Sequence, residues 1–260
     1  MTSASRLNDI LKTTTCIQWG CHYARTGSTN ADALSLIRST PAYLNVPGMV
    51  VADHQTSGKG RQNKSWDAPP GADILMSAVV WPTVPVCDWP TVPFALGLAV
   101  RAALRPHVPS SYSVQLKWPN DILINHQKCV GLLAEADAKR QAVVLGVGIN
   151  VNQLPTDTTR TSLRVVNQML MDRWGILSDV IHSLDTHWPA IESGQFDVLQ
   201  WETYAAYMHQ RVTLKYNGKL WDGVFEGIHQ NGALKLRVGD HLHCIHGGSD
   251  LRLMFPVPNM

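Results

Sequence analysis

Apolar and polar positions change period several times along the chain, and each change marks an element. Behind Ser28, Thr29 and Asn30, apolar residues recur at Ala31, Ala33, Leu34 and Ile37, close to the spacing of a helix face. Thr29 and Asp32 stand at capping-box spacing and Pro41 lies just past the expected end, which predicts a capped helix. Residues 49–53 and 74–81 are short strand-like runs. Residues 55–66 between them are polar, contain Gly58 and Gly60, and predict a long loop. Residues 90–104 have the Ala and Leu content of a buried helix, after which 114–118, 122–124, 129–134 and 143–151 read as strands. Residues 152–161 are polar and predict a loop. Two or three amphipathic helices follow through Tyr207, with Val180, Ile181, Leu184, Trp188 and Ile191 at helical spacing. From about Gln210 the texture shifts to strands 212–216, 220–228, 234–238 and 242–245. The turn pairs Asn217-Gly218, Asn231-Gly232 and Gly239-Asp240 separate them, and a small β-barrel is expected.

At 260 residues the chain suggests one large domain and one small one, divided here at 1–208 and 209–260. Hydrophobic residues make up 45%, with nine Trp, and charged residues only 16%, so the chain has the means to bury a core. A net charge of +2 supplies no global field for a polyanion. Nucleic-acid binding is therefore not expected, and phosphate chemistry must be local. Cys16, Cys21, Cys87, Cys129 and Cys244 fall at irregular spacings without a CxxC pair, which argues against a disulfide framework or a zinc ribbon and for a reducing compartment. The longest apolar stretches, 74–81, 94–100 and 142–149, fall well short of the roughly 20 residues of a membrane span. Residues 1–15 lack the basic start and apolar run of a signal peptide. A cytoplasmic protein with no membrane partner is the expectation.

Three segments carry candidate chemistry. Gly58-Lys59-Gly60-Arg61-Gln62-Asn63-Lys64 puts three cations into seven residues, with two glycines that let backbone approach a ligand. Such a loop suits a phosphate, and its like charges repel until an anion arrives. It matches neither a P-loop nor a dinucleotide fingerprint. Lys117-Trp118-Pro119-Asn120-Asp121-Ile122-Leu123-Ile124 predicts a hairpin closing through Asn125-His126-Gln127, with Lys128 at the start of the return strand and Gly131 beyond it. Gly146-Val147-Gly148-Ile149-Asn150-Val151-Asn152 ends a buried strand in small residues, with Asn150 offering donor and acceptor at its tip. Each segment alone also has a plain structural reading, as a solvated loop, a solubilising lysine or a tight packing position.

In combination, Ser28-Thr29-Asn30, the 55–66 loop, KWPNDIL with Lys128-Cys129-Val130-Gly131, and GVGINVN occur in the order and approximate spacing of biotin protein ligases. The resemblance covers about residues 20–250. It is to the minimal form, since the 27 residues before Ser28 are too few for a helix-turn-helix domain. What the resemblance implies is an α/β (α+β) fold: a mixed sheet flanked by helices, related to lipoate ligases and class II aminoacyl-tRNA synthetases, then an SH3-like barrel. The implied reaction joins biotin and MgATP into biotinyl-5'-AMP and pyrophosphate. A lysine of a biotin carboxyl carrier domain, such as that of acetyl-CoA carboxylase, then takes the biotin and releases AMP.

By the same resemblance, Ser28, Thr29, Asn30 and Gln55 would contact the biotin head group, with Lys59, Gly60, Arg61, Lys128 and Gly131 also on the biotin side. Lys128 and Arg61 would be the catalytic pair. Arg61, Lys64, Trp66 and Asn150 would hold the nucleotide and its phosphate, and Asp121 would serve either the incoming lysine or Mg²⁺, a choice the sequence leaves open. No metal-ligand set is expected: His54 and His126 flank the site without an implied role, and His241, His243 and His246 read as a solvated strand face. One departure is Lys59, where the family usually has Arg; lysine keeps the charge but loses the bidentate fork. The nearest other enzyme class is lipoate or octanoate attachment, and the nearest non-enzyme is a sensor that retains biotin-AMP. Sheet edges in this family can mediate homodimers, and the sequence leaves the subunit count open.

Overall fold

The apolar runs assemble into two sheets. The computed structural model describes residues 2–43 and 45–254. In chain order the first part comprises α1 (Ser3–Leu11), β1 (Trp19–Tyr23), α2 (Thr29–Ser39), β2 (Gly48–Ala52), β3 (Ile74–Val80), α3 (Val92–Leu104), β4 (Val114–Lys117), β5 (Asp121–Ile124), β6 (Gln127–Asp137) and β7 (Ala142–Ile149). Three helices follow, α4 (Leu163–Asn167), α5 (Arg173–Ser193) and α6 (Val198–Thr203). The seven strands form one sheet in the order β1-β2-β3-β7-β6-β5-β4, parallel only between β1 and β2 and antiparallel elsewhere. This is the mixed sheet with flanking helices expected above.

Alternation along the strands divides the sheet into two unequal faces. Met49, Val51, Met76, Ala78, Leu145 and Val147 belong to the main core, which also holds the buried sides of α3 and α5. The expected stripe of Val180, Ile181, Leu184, Trp188 and Ile191 on α5 is buried in it. On the other face Val50, Val79, Ala142 and Val144 pack with Ala33 and Ile37 of α2 in a smaller cluster. That helix covers one end of its face. Past its N-terminus the face continues over Gly146 and Gly148 of β7 and Gly131 of β6, a patch without side chains.

Two elements were not legible from periodicity. Only Leu7 of α1 is buried, so its apolar stripe is thin, and every residue of β1 is half-buried, so it has no clean alternation. The expected capping box at Thr29 and Asp32 does not form. The helix begins one residue earlier, with Ser28 as a cap whose side chain makes no capping bond. The Thr29 hydroxyl donates instead to Gln55 Oε1, and Asp32 Oδ2 accepts from Thr26 Oγ1. Tertiary partners outcompete the local motif.

The C-terminal part has five strands rather than the four expected: β8 (Arg211–Tyr216), β9 (Lys219–Ile228), β10 (Leu234–Val238), β11 (His241–Ile245) and the unanticipated β12 (Ser249–Leu253). Their order is β11-β10-β9-β8-β12, all antiparallel, so β11 and β12 are the two edges, and no ladder among the described residues closes them into a ring. The end of the expected barrel, residues 255–260, lies outside the described residues. Asn217 and Gly218 both take positive φ, as a two-residue hairpin turn between right-twisted strands requires. The unit shares the main core with the larger part: Leu214, Phe225 and Leu236 belong to the same cluster as Leu116 and Trp201. Trp118, 1% exposed, ties the two parts through Nε1 donating to Gly232 O at 2.9 Å.

Trp118→Phe should therefore lower stability by about 1–3 kcal/mol, since it thins the packing and leaves a buried carbonyl unpaired. Chemical denaturation would show this as a lower midpoint with an unchanged slope. An unchanged midpoint would mean that this bond does not hold the parts together.

Candidate active site

The site begins where α2 meets the bare sheet patch. Ser28, Thr29 and Asn30 are buried at the helix start, each with a polar side chain that needs a partner. Gln55 Oε1 accepts from both the Thr29 amide (2.8 Å) and the Thr29 hydroxyl (3.0 Å). Asn30 Nδ2 donates to Glu135 Oε2 at 2.7 Å, and Ser77 Oγ lies 2.6 Å from Asn30 Oδ1 and 2.7 Å from Thr29 Oγ1. Ser77 and Glu135, which sequence reading passed over, thus orient the polar end of the cavity. Gly146 stands opposite because a Cβ there would lie 2.5 Å from Asn30 Oδ1.

The 55–66 loop folds over the patch as a small hairpin. Trp66 N donates to Gly58 O at 2.9 Å, Gly60 N donates to Lys64 O at 2.7 Å, and Lys59 bridges Ser65. A one-turn helix over Arg61–Asn63 makes the tip, with Gln62 at φ 55°. The Trp66 indole lies on Gly131 and Gly148, which are register partners on β6 and β7. A Cβ on either glycine would collide with the ring. Trp66 Nε1 is buried there without a hydrogen-bond partner among the described residues.

The cationic end is built from the second expected segment. β4 and β5 form a hairpin around 118–120, and β5 and β6 a tighter one through Asn125 and His126, both at positive φ. This brings Lys128 Nζ to 2.6 Å from Asp121 Oδ1, an ion pair off the axis of a directed hydrogen bond, and 5.4 Å from the Trp66 ring centre. The Lys128 backbone is clamped between neighbours, its N–H donating to Thr159 O and its carbonyl accepting from Thr161 N. Lys117 shares the pocket, and burial pulls its ammonium below the usual lysine range against the raising effect of Asp121. Burial likewise lowers Arg61, which Asp121 partly offsets, while Arg61 Nη1 donates to Asn120 Oδ1 at 3.3 Å. One carboxylate is thus ringed by three cations, a net positive site whose pull on an anion is strengthened by its low-dielectric wall.

One cavity gathers Ser28, Thr29, Asn30, Gln55, Lys59, Gly60, Arg61, Lys64, Trp66, Asp121, Lys128 and Gly131. Asn150 is the exception. It is 2% exposed and does not line the cavity; Nδ2 donates to Thr161 O at 2.9 Å and Oδ1 accepts from Gln153. Its amide is committed to holding the 150–161 segment, so the expected direct nucleotide contact has no counterpart in the cavity wall. Arg160 and Lys117, absent from the expected set, do line it, as do Ser249, Asp250 and Leu251 of β12. Asp250 sits at φ 53° where the β12–β8 register shifts, and its Oδ1 lies 2.8 Å from Lys64 Nζ. Nothing in the spacing of residues 249–251 signals this reach. His54 and His126 do not line the cavity. His241 and His243 lie on β11, and no metal-holding group of His, Cys, Asp or Glu occurs among the described residues.

A model of the Biotin/lipoate A/B protein ligase family matches residues 23–152. The biotin--[acetyl-CoA-carboxylase] ligase of Mycobacterium tuberculosis is 34% identical over 248 residues, covering 88% of this chain and 87% of that protein. The bifunctional ligase/repressor BirA of Bacillus subtilis is 29% identical over 238 residues, covering 85% of this chain and 72% of that one. Among solved structures, the biotin protein ligase from Aquifex aeolicus in complex with biotin and ATP shares the fold with a TM-score of 0.74. It is 23% identical and covers 92% of this chain and 99% of that chain.

The Lys64–Asp250 pair should restrain the loop in the absence of ligand. Lys64 holds the Asp250 carboxyl below the usual range, so the restraint is complete above that range and is lost as pH falls through the depressed value. Asp250→Asn should lower hydrogen-exchange protection of residues 58–66 by about 1.5- to 5-fold near neutral pH, the worth of an exposed ion pair. Acidification of the parent chain below the carboxylate range should do the same. Equal protection in both chains would dismiss the restraint.

Proposed function

Since the chain belongs to the biotin/lipoate A/B protein ligase family, we propose that it activates biotin with ATP and transfers it to a carrier lysine. The observation that carries this reading is a single cavity with two chemically different ends. Hydroxyls and amides of Ser28, Thr29, Asn30 and Gln55 match a ureido group with two donors and one acceptor. The opposite end, with Arg61, Lys64 and Lys128, matches a carboxylate and a phosphate, and the Trp66 indole, seated on Gly131 and Gly148, lies between them.

In the first step a biotin carboxylate oxygen attacks the α-phosphorus of ATP, and the bond to pyrophosphate breaks. Two anions must approach, so fixed positive charge lowers the barrier. Lys128, clamped by backbone, meets the biotin carboxylate and then the phosphate, while Arg61 and Lys64 hold the α-phosphate and Trp66 closes the pocket. Mg²⁺ is ordinarily held by substrate phosphates and one or two carboxylates, and Asp121, whose Oδ1 lacks a directed hydrogen bond, fits that donor set. It would supply further charge neutralisation. In the second step the carrier amine attacks the mixed-anhydride carbonyl and AMP leaves, with Asp121 the carboxylate near enough to assist the amine. Asn150 acts on the nucleotide side through the segment it holds.

The carrier is that of acetyl-CoA carboxylase or a related carboxylase, as the name of the Mycobacterium tuberculosis relative suggests. Residues 1–208 make the catalytic domain. Residues 209–260 are read as an SH3-like barrel, supported by short strands, a tight Asn-Gly turn and register shifts in β10 and β12. A homodimer through a sheet edge is supported by β6, whose residues 133–136 ladder only to β7 among the described residues. No helix among the described residues is long and apolar enough to cross a membrane. Cysteine usage supports the cytoplasm, and the net charge of +2 supports no nucleic-acid partner.

Lys128→Ala should cut biotin-dependent pyrophosphate release by about a hundred- to a thousandfold while thermal melting stays close to the parent. Near-normal turnover would remove Lys128 from the site. Arg61→Gly should leave some adenylation but release the intermediate about ten to a hundred times faster, because a charge-assisted bond to its single phosphate is lost. Streptavidin probing of a bystander protein would report the leak. Labelling no greater than with the parent, while pyrophosphate is still made, would show that Arg61 does not retain the adenylate.

A further inference from the structure

We propose that Arg160 is a further nucleotide-binding residue, gripping the terminal phosphates of ATP beside Lys128. The inference rests on the ligase reading and extends it to a residue of the segment that runs beside Lys128 rather than of the 55–66 loop. Residues 159–161 run alongside the start of β6: Lys128 N donates to Thr159 O at 2.9 Å, and Thr161 N donates to Lys128 O at 2.9 Å. The parallel bridge so formed pairs Lys128 with Arg160. Residues paired across a bridge project to the same face, so two cations stand side by side, and both line the cavity.

Like charges directly opposite one another are destabilising. Lys128 is offset by Asp121 at 2.6 Å. Arg160 has only Asp157, with Nε 3.4 Å from Oδ2 in a half-exposed pair within its own loop, and its side chain makes no hydrogen bond among the described residues. The placement is nevertheless built in. Asp73, fully buried, accepts from the amides of Val151, Asn152 and Gln153 through Oδ1 at 2.8, 3.1 and 3.2 Å, which fixes where the loop departs. Asn150 fixes where it returns, through Thr161 O. Buried polar groups thus hold a guanidinium that only a half-exposed carboxylate offsets next to Lys128, an arrangement that an anion between the two relieves.

The anion's class follows from what the other cations already serve. Arg61 and Lys64 project from the 55–66 loop and suit the α-phosphate, which persists in the adenylate. Arg160 comes from a different segment, paired with Lys128, and carries a planar fork that matches phosphate oxygens two at a time. The β- and γ-phosphates are the anions present in ATP and absent from the adenylate, so Arg160 serves the first half-reaction alone.

The test measures each half-reaction in Arg160→Ala and Arg160→Lys with the full chain. In biotin-dependent pyrophosphate release, Arg160→Ala should raise the KM for ATP about tenfold or more and leave the KM for biotin unchanged. Arg160→Lys should recover part of the loss. Single-turnover transfer from preformed biotinyl-AMP to a carrier domain should match the parent in both variants. An unchanged KM for ATP in a parent-like background overturns the inference, and so does an equal fall in transfer from preformed adenylate, which would mark a general disturbance of the site. A parent chain that releases no pyrophosphate with biotin would refute the ligase reading itself, and with it this inference.

Discussion

A Cβ at Gly131 would come within 2.6 Å of the Trp66 ring, and one at Gly148 closer still, so the 55–66 loop can lie on the sheet only where β6 and β7 carry no side chains. That constraint organises the site. The strand pair is among the most extensively paired in the fold, which leaves a rigid floor under a loop that has few apolar contacts of its own. Gly146, one alternation further along β7, makes the same allowance for Asn30. Three glycines on one face thus set the depth of the cavity, the height of the loop and the distance between the polar and cationic ends. Elsewhere on that face Ala142 and Val144 fill the equivalent space against α2.

Electrostatics builds on this geometry. The chain as a whole carries only +2, yet Lys59, Arg61, Lys64, Lys117, Lys128 and Arg160 meet around one cavity against Asp121 and Asp250. Such a cluster survives because three of the six cations are individually restrained, Lys64 by Asp250, Lys128 by Asp121 and Arg61 by Asn120. Repulsion alone would predict a disordered loop. The tethers give it a defined resting position from which an anionic ligand can recruit the same side chains at low entropic cost. They also explain why the C-terminal sheet belongs to the site, since β12 provides the carboxylate that meets Lys64.

The larger elements were legible because their cores are periodic: α5 shows its stripe, and β3 and β7 are apolar runs buried on both faces, except where Gly146 and Gly148 of β7 floor the cavity. α1 and β1 escaped because neither buries a full side, and the capping box failed because Gln55, distant in sequence, supplied a better partner for Thr29. At the site, three segments with plain individual readings did converge. What sequence could not supply was long-range pairing: Ser77 beneath Asn30, Asp250 opposite Lys64, Arg160 beside Lys128. Asn150 shows the reverse case, a polar residue at a strand tip whose amide is engaged by the segment behind it.

In the proposed function the cavity holds one small acid, its ureido head at Ser28, Thr29, Asn30 and Gln55 and its carboxylate at Lys128, and passes it to a protein lysine. The direct measurement is the intact mass of a biotin carboxyl carrier domain after incubation with the chain and MgATP, with biotin in one sample and lipoate in another. The expected result is a mass increase of one biotin, and no increase with lipoate. Attachment of lipoate in preference to biotin, or an unmodified carrier in both samples while biotinyl-AMP remains bound to the chain, would contradict it.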